Sequence, residues 1–346
     1  MRKQGVLLVN LGTPDSPSVS DVRKYLDEFL MDERVIDINA INRALLVKGI
    51  IVPFRGPKSA KIYKELWTEN GSPLLYYGIR VKELLQDKLG KKYTVELAMR
   101  YQSPSIKSAL DSLKQQQVES IRVVPLFPQY ASASTGSVIQ KVMELVSKWQ
   151  TIPDISFVNS FHDNDGMIEV FAENARKHQP ETFDHILFSF HGLPERQLTK
   201  ADHSGKYCLQ TPNCCSRLND VNRFCYSAQS HDTARLIAEK LGLPKEKYTI
   251  CFQSRLGNSP WKKPYTIEVL EDLAKKGAKR LLVFSPAFVA DCLETNIEIS
   301  QEYNEEFRNW GGEKIQLVES LNDHPTWIDA LAGIVLDSQQ RVSQPI

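Results

Sequence analysis

The chain has 346 residues, with 43 Lys and Arg against 42 Asp and Glu, 42% hydrophobic and 25% charged residues, and six cysteines. That length suggests about two domains and leaves room for a sizeable core, and the composition excludes a disordered tail, a collagen-like repeat and a disulfide mini-scaffold. A net charge of +1 lacks the broad attraction on which non-specific nucleic-acid binding rests, so no nucleic-acid partner is expected.

Met1-Arg2-Lys3-Gln4 runs straight into an apolar strand without the pattern of a secretory leader, so a cytoplasmic location is expected. Gly5 to Asn10 reads as a buried strand ending in the turn Gly12-Thr13-Pro14-Asp15. The apolar stretch Ile41 to Pro53 contains Lys48 and Gly49 and is too short to span a membrane. Tyr93 to Met99 and Ile121 to Leu126 are further strands. Between them, Ile106, Leu110 and Leu113 mark one face of a helix over 103–116. In the second half, Ile186 to Phe190, Tyr248 to Phe252 and Leu281 to Phe284 repeat the alternation, the first ending at His191-Gly192-Leu193-Pro194.

Strands alternating with helices imply parallel sheets with crossover connections. The halves also match in order: Gly12-Thr13-Pro14 with Gly192-Leu193-Pro194, Tyr93-Thr94-Val95 with Tyr248-Thr249-Ile250, and Arg122 to Pro128 with Arg280 to Pro286. Ser103-Pro104 and Ser259-Pro260 look like a corresponding pair after the second strand of each half. The expected fold class is α/β: two similar Rossmann-like domains, each a parallel sheet flanked by helices, around an interdomain cleft. The first domain is expected over 1–150 with a lip at about 30–60, and the second over 151–320 with a cysteine-rich insert at about 200–225. A C-terminal helix and tail over 321–346 is expected to pack back on the first domain.

Ligands of open α/β sheets bind beyond the carboxyl ends of strands. His191 stands at such an end, where an imidazole can accept a proton, bind a metal or merely satisfy a loop carbonyl. After the Phe284 strand, Asp291, Glu294, Glu298, Glu302 and Glu305 would form one acidic stripe if helical. Such a column is either a solvated face or a path for protons and divalent cations, and carboxylates with one imidazole suit Fe²⁺ in passage. On the first domain's side, Arg100 and Tyr101 offer a cation beside a ring, and Tyr130, Ser134 and Thr135 offer an aromatic face and hydroxyls. That wall suits a flat apolar ligand with polar edges. No GxGxxG or GxxxxGK[ST] is present, so no nucleotide cofactor is expected.

Four cysteines, Cys208, Cys214, Cys215 and Cys225, fall within 18 residues, while Cys251 and Cys292 stand apart. In a reducing compartment such a cluster more often holds metal than forms disulfides. Four thiolates satisfy a Zn site or an iron–sulfur cluster, and the spacing is not the paired CxxC of a zinc finger.

Taken together, Ser189-Phe190-His191-Gly192-Leu193-Pro194, Phe127-Pro128-Gln129-Tyr130, Phe252-Gln253-Ser254-Arg255 and Ala290-Asp291-Cys292-Leu293-Glu294-Thr295 resemble the ferrochelatase family in the family's own order. The resemblance runs from Leu8 to about Gly312. It implies Fe²⁺ insertion into protoporphyrin IX, the step that ends haem synthesis, with porphyrin and Fe²⁺ as the partners. It implies catalytic roles for His191, Glu294 and Glu298, with His191 and Glu294 meeting the substrate Fe²⁺. Arg55 and Ser72 lie in segments resembling those that hold the porphyrin propionates. Leu11 stands where relatives acting on coproporphyrin tend to carry tyrosine, which favours protoporphyrin.

The stretch from Lys200 to Phe224 is longer than the family pattern needs, and it resembles the internal segment of those bacterial members that carry a [2Fe-2S] cluster. The resemblance therefore implies Cys208, Cys214, Cys215 and Cys225 as cluster ligands in a structural or sensing role, with Zn as the alternative. Leu45, Leu46, Ile50 and Ile51 of the lip would guide a greasy substrate or touch the inner face of a membrane; a buried helix is the simpler alternative. Other functions compatible with the residues are coproporphyrin III ferrochelatase, another tetrapyrrole metal chelatase, and a non-catalytic porphyrin- or haem-binding protein.

Overall fold

The computed structural model describes residues 3–342 except 256 and 258, with side chains described up to residue 337. The chain divides into two compact units, 1–127 with 131–161 and 327–346, and 128–130 with 162–326.

The first unit contains β1 (Gln4–Gly12), α1 (Val19–Leu30), α2 (Ala40–Ala44), α3 (Val52–Leu66), α4 (Pro73–Leu89), β2 (Tyr93–Tyr101), α5 (Ile106–Gln115), β3 (Ser120–Pro125), α6 (Ser137–Val146) and β4 (Asp154–Phe157). Its four parallel strands lie in the order β2-β1-β3-β4. A parallel sheet covered on both faces needs strands that are apolar throughout, and Val6, Leu7, Leu8 and Val9 of β1 are all fully buried. On one face Leu7 and Val9 pack with Leu110 and Leu113 of α5 and Val138 and Val142 of α6. The predicted helix begins at Ile106 because Ser105 caps it, its hydroxyl accepting from the Ser108 amide.

The second unit contains α7 (Asp165–Arg176), β5 (His185–His191), α8 (Glu195–Lys200), α9 (Tyr226–Lys240), β6 (Tyr248–Gln253), α10 (Thr266–Lys275), β7 (Arg280–Phe284), α11 (Asn304–Asn309) and β8 (Lys314–Leu317), and the chain closes with α12 (Pro325–Val342). Its strand order, β6-β5-β7-β8, repeats the first sheet strand for strand. Leu187, Cys251, Leu281 and Val283 pack against Leu270 of α10, with Ile299 and Phe307 beyond them.

The repeat reaches the turns. The Met99 amide donates to the Pro104 carbonyl at 2.7 Å, and the Phe252 amide donates to the Pro264 carbonyl at 2.9 Å. The counterpart of Ser103-Pro104 is therefore Lys263-Pro264, not the Ser259-Pro260 pair that the sequence suggested.

The boundary expected at residue 150 falls instead after 161, because β4 completes the first sheet. The helix over 325–342 groups with the first unit: the Trp327 ring lies 5.6 Å from that of Phe161, and Asp329 pairs with Lys88.

Among the described residues three segments are π-helical: Leu45–Ile51, Ser132–Gly136 and Glu294–Tyr303. Two of them occupy the same place, after the third strand of each sheet. Single π turns are rare and concentrate at functional sites.

Candidate active site

Strand β5 lies between β6 and β7, so its carboxyl end opens at the middle of the second sheet. His191 is its last residue and pairs in register with Gln253 of β6. The His191 ring is half-buried, and its Nδ1 lies 2.7 Å from the Gly192 carbonyl. A carbonyl only accepts, so Nδ1 carries a hydrogen, and in the neutral ring Nε2 is the lone-pair nitrogen. Phe288 lies edge-on to the ring at 6.5 Å.

Gly192 is required where it stands. Its amide donates to the Gln253 carbonyl at 2.7 Å, and a Cβ there would lie 2.8 Å from that same oxygen.

The acidic segment differs from the stripe that α-helical spacing predicted. Asp291 lies outside the helix and staples a loop, accepting from the Ser320 amide and the Asn322 side chain. From Glu294 onward the backbone is π-helical, and its wider turn removes the regular stacking of residues four apart. Glu294 and Glu298 are half-buried, whereas Glu302 and Glu305 are exposed.

Glu298 is held by three neutral donors. Ser254 Oγ lies 2.5 Å and Gln253 Nε2 3.1 Å from its Oε2, and Tyr303 Oη lies 2.7 Å from its Oε1. Gln253 Nε2 also donates to the Glu294 carbonyl at 3.1 Å, and Ser189 donates to Gln253 Oε1 at 2.6 Å. The last residue of β6 thus ties the strand that carries the histidine to the helix that carries the carboxylates. Burial and the Glu298 charge push the Tyr303 phenol well up, so it remains a donor. Cys292, fully buried, has its thiol pushed well up by burial and by the Glu294 carboxylate that it touches.

These supporting residues had no role in the sequence reading. Their signal was the stretch Phe252-Gln253-Ser254-Arg255, which resembled the family without showing what its side chains touch.

In the first unit the expected wall is partly a closed network. Tyr101 is fully buried, and its hydroxyl lies 2.9 Å from Asp32. Arg100 pairs with the same carboxylate at 2.6 Å and donates to Ser137 Oγ, which itself lies 2.5 Å from Asp32. Burial of Asp32 is outweighed by donors from Ser137, the Arg34 amide, Arg100 and Tyr101, which hold its carboxyl below the ordinary carboxylate value. Arg100 and Tyr101 thus spend their polar groups on Asp32 and Ser137, with Arg100 half-buried and Tyr101 fully buried.

Ser72 and Thr135 are buried, and their hydroxyls are unpaired among the described residues. Unspent donor capacity of this kind is costly unless a ligand or water takes it. Ser134 and Leu11 are half-buried and Arg55 is exposed. Tyr130 groups with the second unit: its amide donates to Gln229 at 2.7 Å and its ring meets Phe224.

The four clustered cysteines are all buried and free of disulfides. Cys214 and Cys215 lie 3.7 Å apart sulfur to sulfur, and Cys225 is hydrogen-bonded to both Cys208 and Cys215. Main-chain N–H groups of Leu209 and Ala228 point to the sulfurs of Cys214 and Cys225. Among the described residues no group of three or more His, Cys, Asp or Glu side chains is arranged to hold a single metal ion. The thiol contacts run as one chain, Cys208–Cys225–Cys215–Cys214. Four buried thiols match the donor type and number of a four-thiolate site.

The ferrochelatase family model matches residues 3–339. The chain belongs to the ferrochelatase family. It is 44% identical to a ferrochelatase of Legionella pneumophila (strain Lens) over 96% of this chain and 98% of that protein. It is also 44% identical to a ferrochelatase of Coxiella burnetii (strain Dugway 5J108-111), over 98% of this chain and 94% of that one. A solved structure of SirB from Bacillus subtilis with Fe3+ superposes with a TM-score of 0.52 at 13% identity, covering 98% of each chain. That likeness establishes the fold: two parallel α/β units, as expected from the alternation of strands and helices.

Proposed function

We infer that the protein is a lyase that inserts Fe²⁺ into protoporphyrin IX, and that His191, Glu294 and Glu298 serve the insertion. The observation that supports this most is the contact of His191 Nδ1 with the Gly192 carbonyl. With Nδ1 committed to the Gly192 carbonyl, Nε2 is the atom that takes a pyrrole proton. A porphyrin must shed its pyrrole protons as the metal enters, so an acceptor at the end of β5 and carboxylates on the helical segment after β7 meet both needs. Glu294 handles metal or proton, and Glu298, fixed by Gln253, Ser254 and Tyr303, lies one step further toward the exposed Glu302.

Arg55, with a guanidinium suited to bidentate carboxylate pairing, and the buried hydroxyl of Ser72 are assigned to the propionates. Ser134, Thr135, Tyr130 and Leu11 are assigned to the macrocycle, with Leu11 favouring protoporphyrin over coproporphyrin. Cys208, Cys214, Cys215 and Cys225 are assigned to a [2Fe-2S] cluster, which would supply a redox-sensitive crosslink within the segment. The lip is assigned to a peripheral membrane contact. Ile41, Leu45, Ile50 and Phe54 are 71%, 66%, 57% and 72% exposed, whereas Ile51, expected outside, is buried. No helix among the described residues is long and apolar enough to cross a membrane.

The deciding experiment is anaerobic incubation with Fe²⁺ and protoporphyrin IX, followed by its absorption spectrum, in parallel with coproporphyrin III. Conversion to haem spectra with protoporphyrin is expected; conversion of coproporphyrin alone, or of neither, overturns the reading. Iron and sulfide analysis of the isolated protein tests the cluster, with Zn or empty thiols as the opposing results.

A further inference from the structure

The first turn of α9 stands between the cysteine-bearing segment and the strand end that carries His191. Cys225 immediately precedes it. Tyr226, 7% exposed, donates its hydroxyl to the main-chain carbonyl of His191 at 2.8 Å. The next residue, Ser227, accepts from the Cys215 thiol at 3.2 Å. Gln229, on the same turn, donates to the Arg223 carbonyl within the segment at 2.7 Å and accepts from the Tyr130 amide.

The His191–Gly192 peptide is pinned at both of its polar ends. Its carbonyl is held by Tyr226, and its N–H, on Gly192, is held by the Gln253 carbonyl. The imidazole takes its orientation from this stretch of backbone, because Nδ1 bonds to the Gly192 carbonyl. Of the two ties on the peptide, one comes from the neighbouring strand and the other from the residue that follows Cys225.

We propose that Tyr226 is a positioning residue for His191, through which the state of the four thiols reaches the insertion site. The proposal rests on the reading of His191 as proton acceptor. A turn of helix is stiff, so a shift at Cys215 or Cys225 moves Tyr226 as well as Ser227. Loss of the Tyr226 bond frees the His191 carbonyl and, with it, the aim of Nε2.

Tyr226→Phe keeps the ring and removes the donor. If the bond acts mainly in the insertion step, kcat should fall by roughly tenfold, the upper range for one neutral hydrogen bond, with KM and porphyrin Kd within about twofold of wild type. A purely structural role would lower the melting temperature and leave kcat per folded molecule unchanged, which overturns the proposal. Cys215→Ser should also lower kcat, and the double variant should lose no more than the worse single one, as coupled residues do; additive losses overturn it.

Hydrogen exchange at the Gly192 amide gives a readout besides turnover. Exchange should be faster in Cys215→Ser than in wild type, and equal exchange overturns the coupling even if Tyr226→Phe fails to fold. If wild type makes no haem, the function reading fails while the exchange comparison still judges the coupling. Iron and sulfide contents of the same samples judge the cluster separately.

Discussion

At the scale of single residues, position was legible where an apolar strand ran into a turn. His191 needed only an apolar strand followed by a glycine turn to be placed. Tyr101 also ends a strand, but a carboxylate 69 positions earlier in the chain, Asp32, takes its hydroxyl. No local pattern announces such a partner. His191→Ala and Glu294→Gln should each abolish insertion while porphyrin binding, read by fluorescence quenching, persists; near-normal turnover in either would remove that residue from the assignment. Asp32→Asn should destabilise the protein by about 1.5–3 kcal/mol, because it replaces a charged acceptor of hydrogen bonds from Tyr101, Ser137 and the half-buried Arg100 with a neutral amide. The pH dependence has a defined sign. The native carboxyl of Asp32 is held below its ordinary 3.8, so its contribution is present above that value and lost as pH falls through the depressed one. Urea titrations should show the gap between wild type and Asp32→Asn constant at neutral pH and closing only in strong acid.

At the scale of elements, the sequence exposed what depends on burial on both faces and hid what depends on edges and register. The inner strands read as apolar runs because helices cover them. β4 and β8 were missed because they are four-residue edge strands, Asp-Ile-Ser-Phe and Lys-Ile-Gln-Leu, whose residues are mostly half-exposed. The π-helix from Glu294 was also hidden, since its residues fit an α-helical spacing equally well; the backbone and the bond from Tyr303 to Glu298, five residues apart, show the altered register. A glycine at the end of each first strand was readable, and the reason is close approach. Gly12 has φ +124°, and a Cβ there would lie 2.1 Å from the Tyr101 carbonyl oxygen. Gly12→Ala should therefore cost about 1–3 kcal/mol from backbone strain alone, with more from prising β1 from β2. Thermal melts should register the loss, and a wild-type melting temperature would mean the strand ends accommodate a methyl group without moving.

At the scale of the whole molecule, an even charge balance says little about where charge and apolar surface fall. The net +1 of the chain conceals a local excess: Arg55, Lys58, Lys61 and Lys64 of α3 are exposed, with Glu65 the only exposed acid in that helix. Phe54 opens the same helix, and Ile41, Leu45 and Ile50 precede it as exposed apolar side chains. Apolar residues beside cations form the surface that binds anionic bilayers, where inserted side chains supply area and each cation near the surface adds about 1 kcal/mol. The protein should co-float with vesicles containing anionic lipid and should leave them as salt rises, because a Debye length near 3 Å at 1 M screens the cations. Leu45→Ser with Phe54→Ser removes two side chains, each worth about 1.5–3 kcal/mol when fully buried, and should weaken flotation by at least roughly tenfold even if each is only partly inserted. The same variant should insert iron normally into a porphyrin presented in detergent, since neither residue is assigned to the insertion chemistry. Equal flotation of wild type and variant would assign the lip to substrate entry alone.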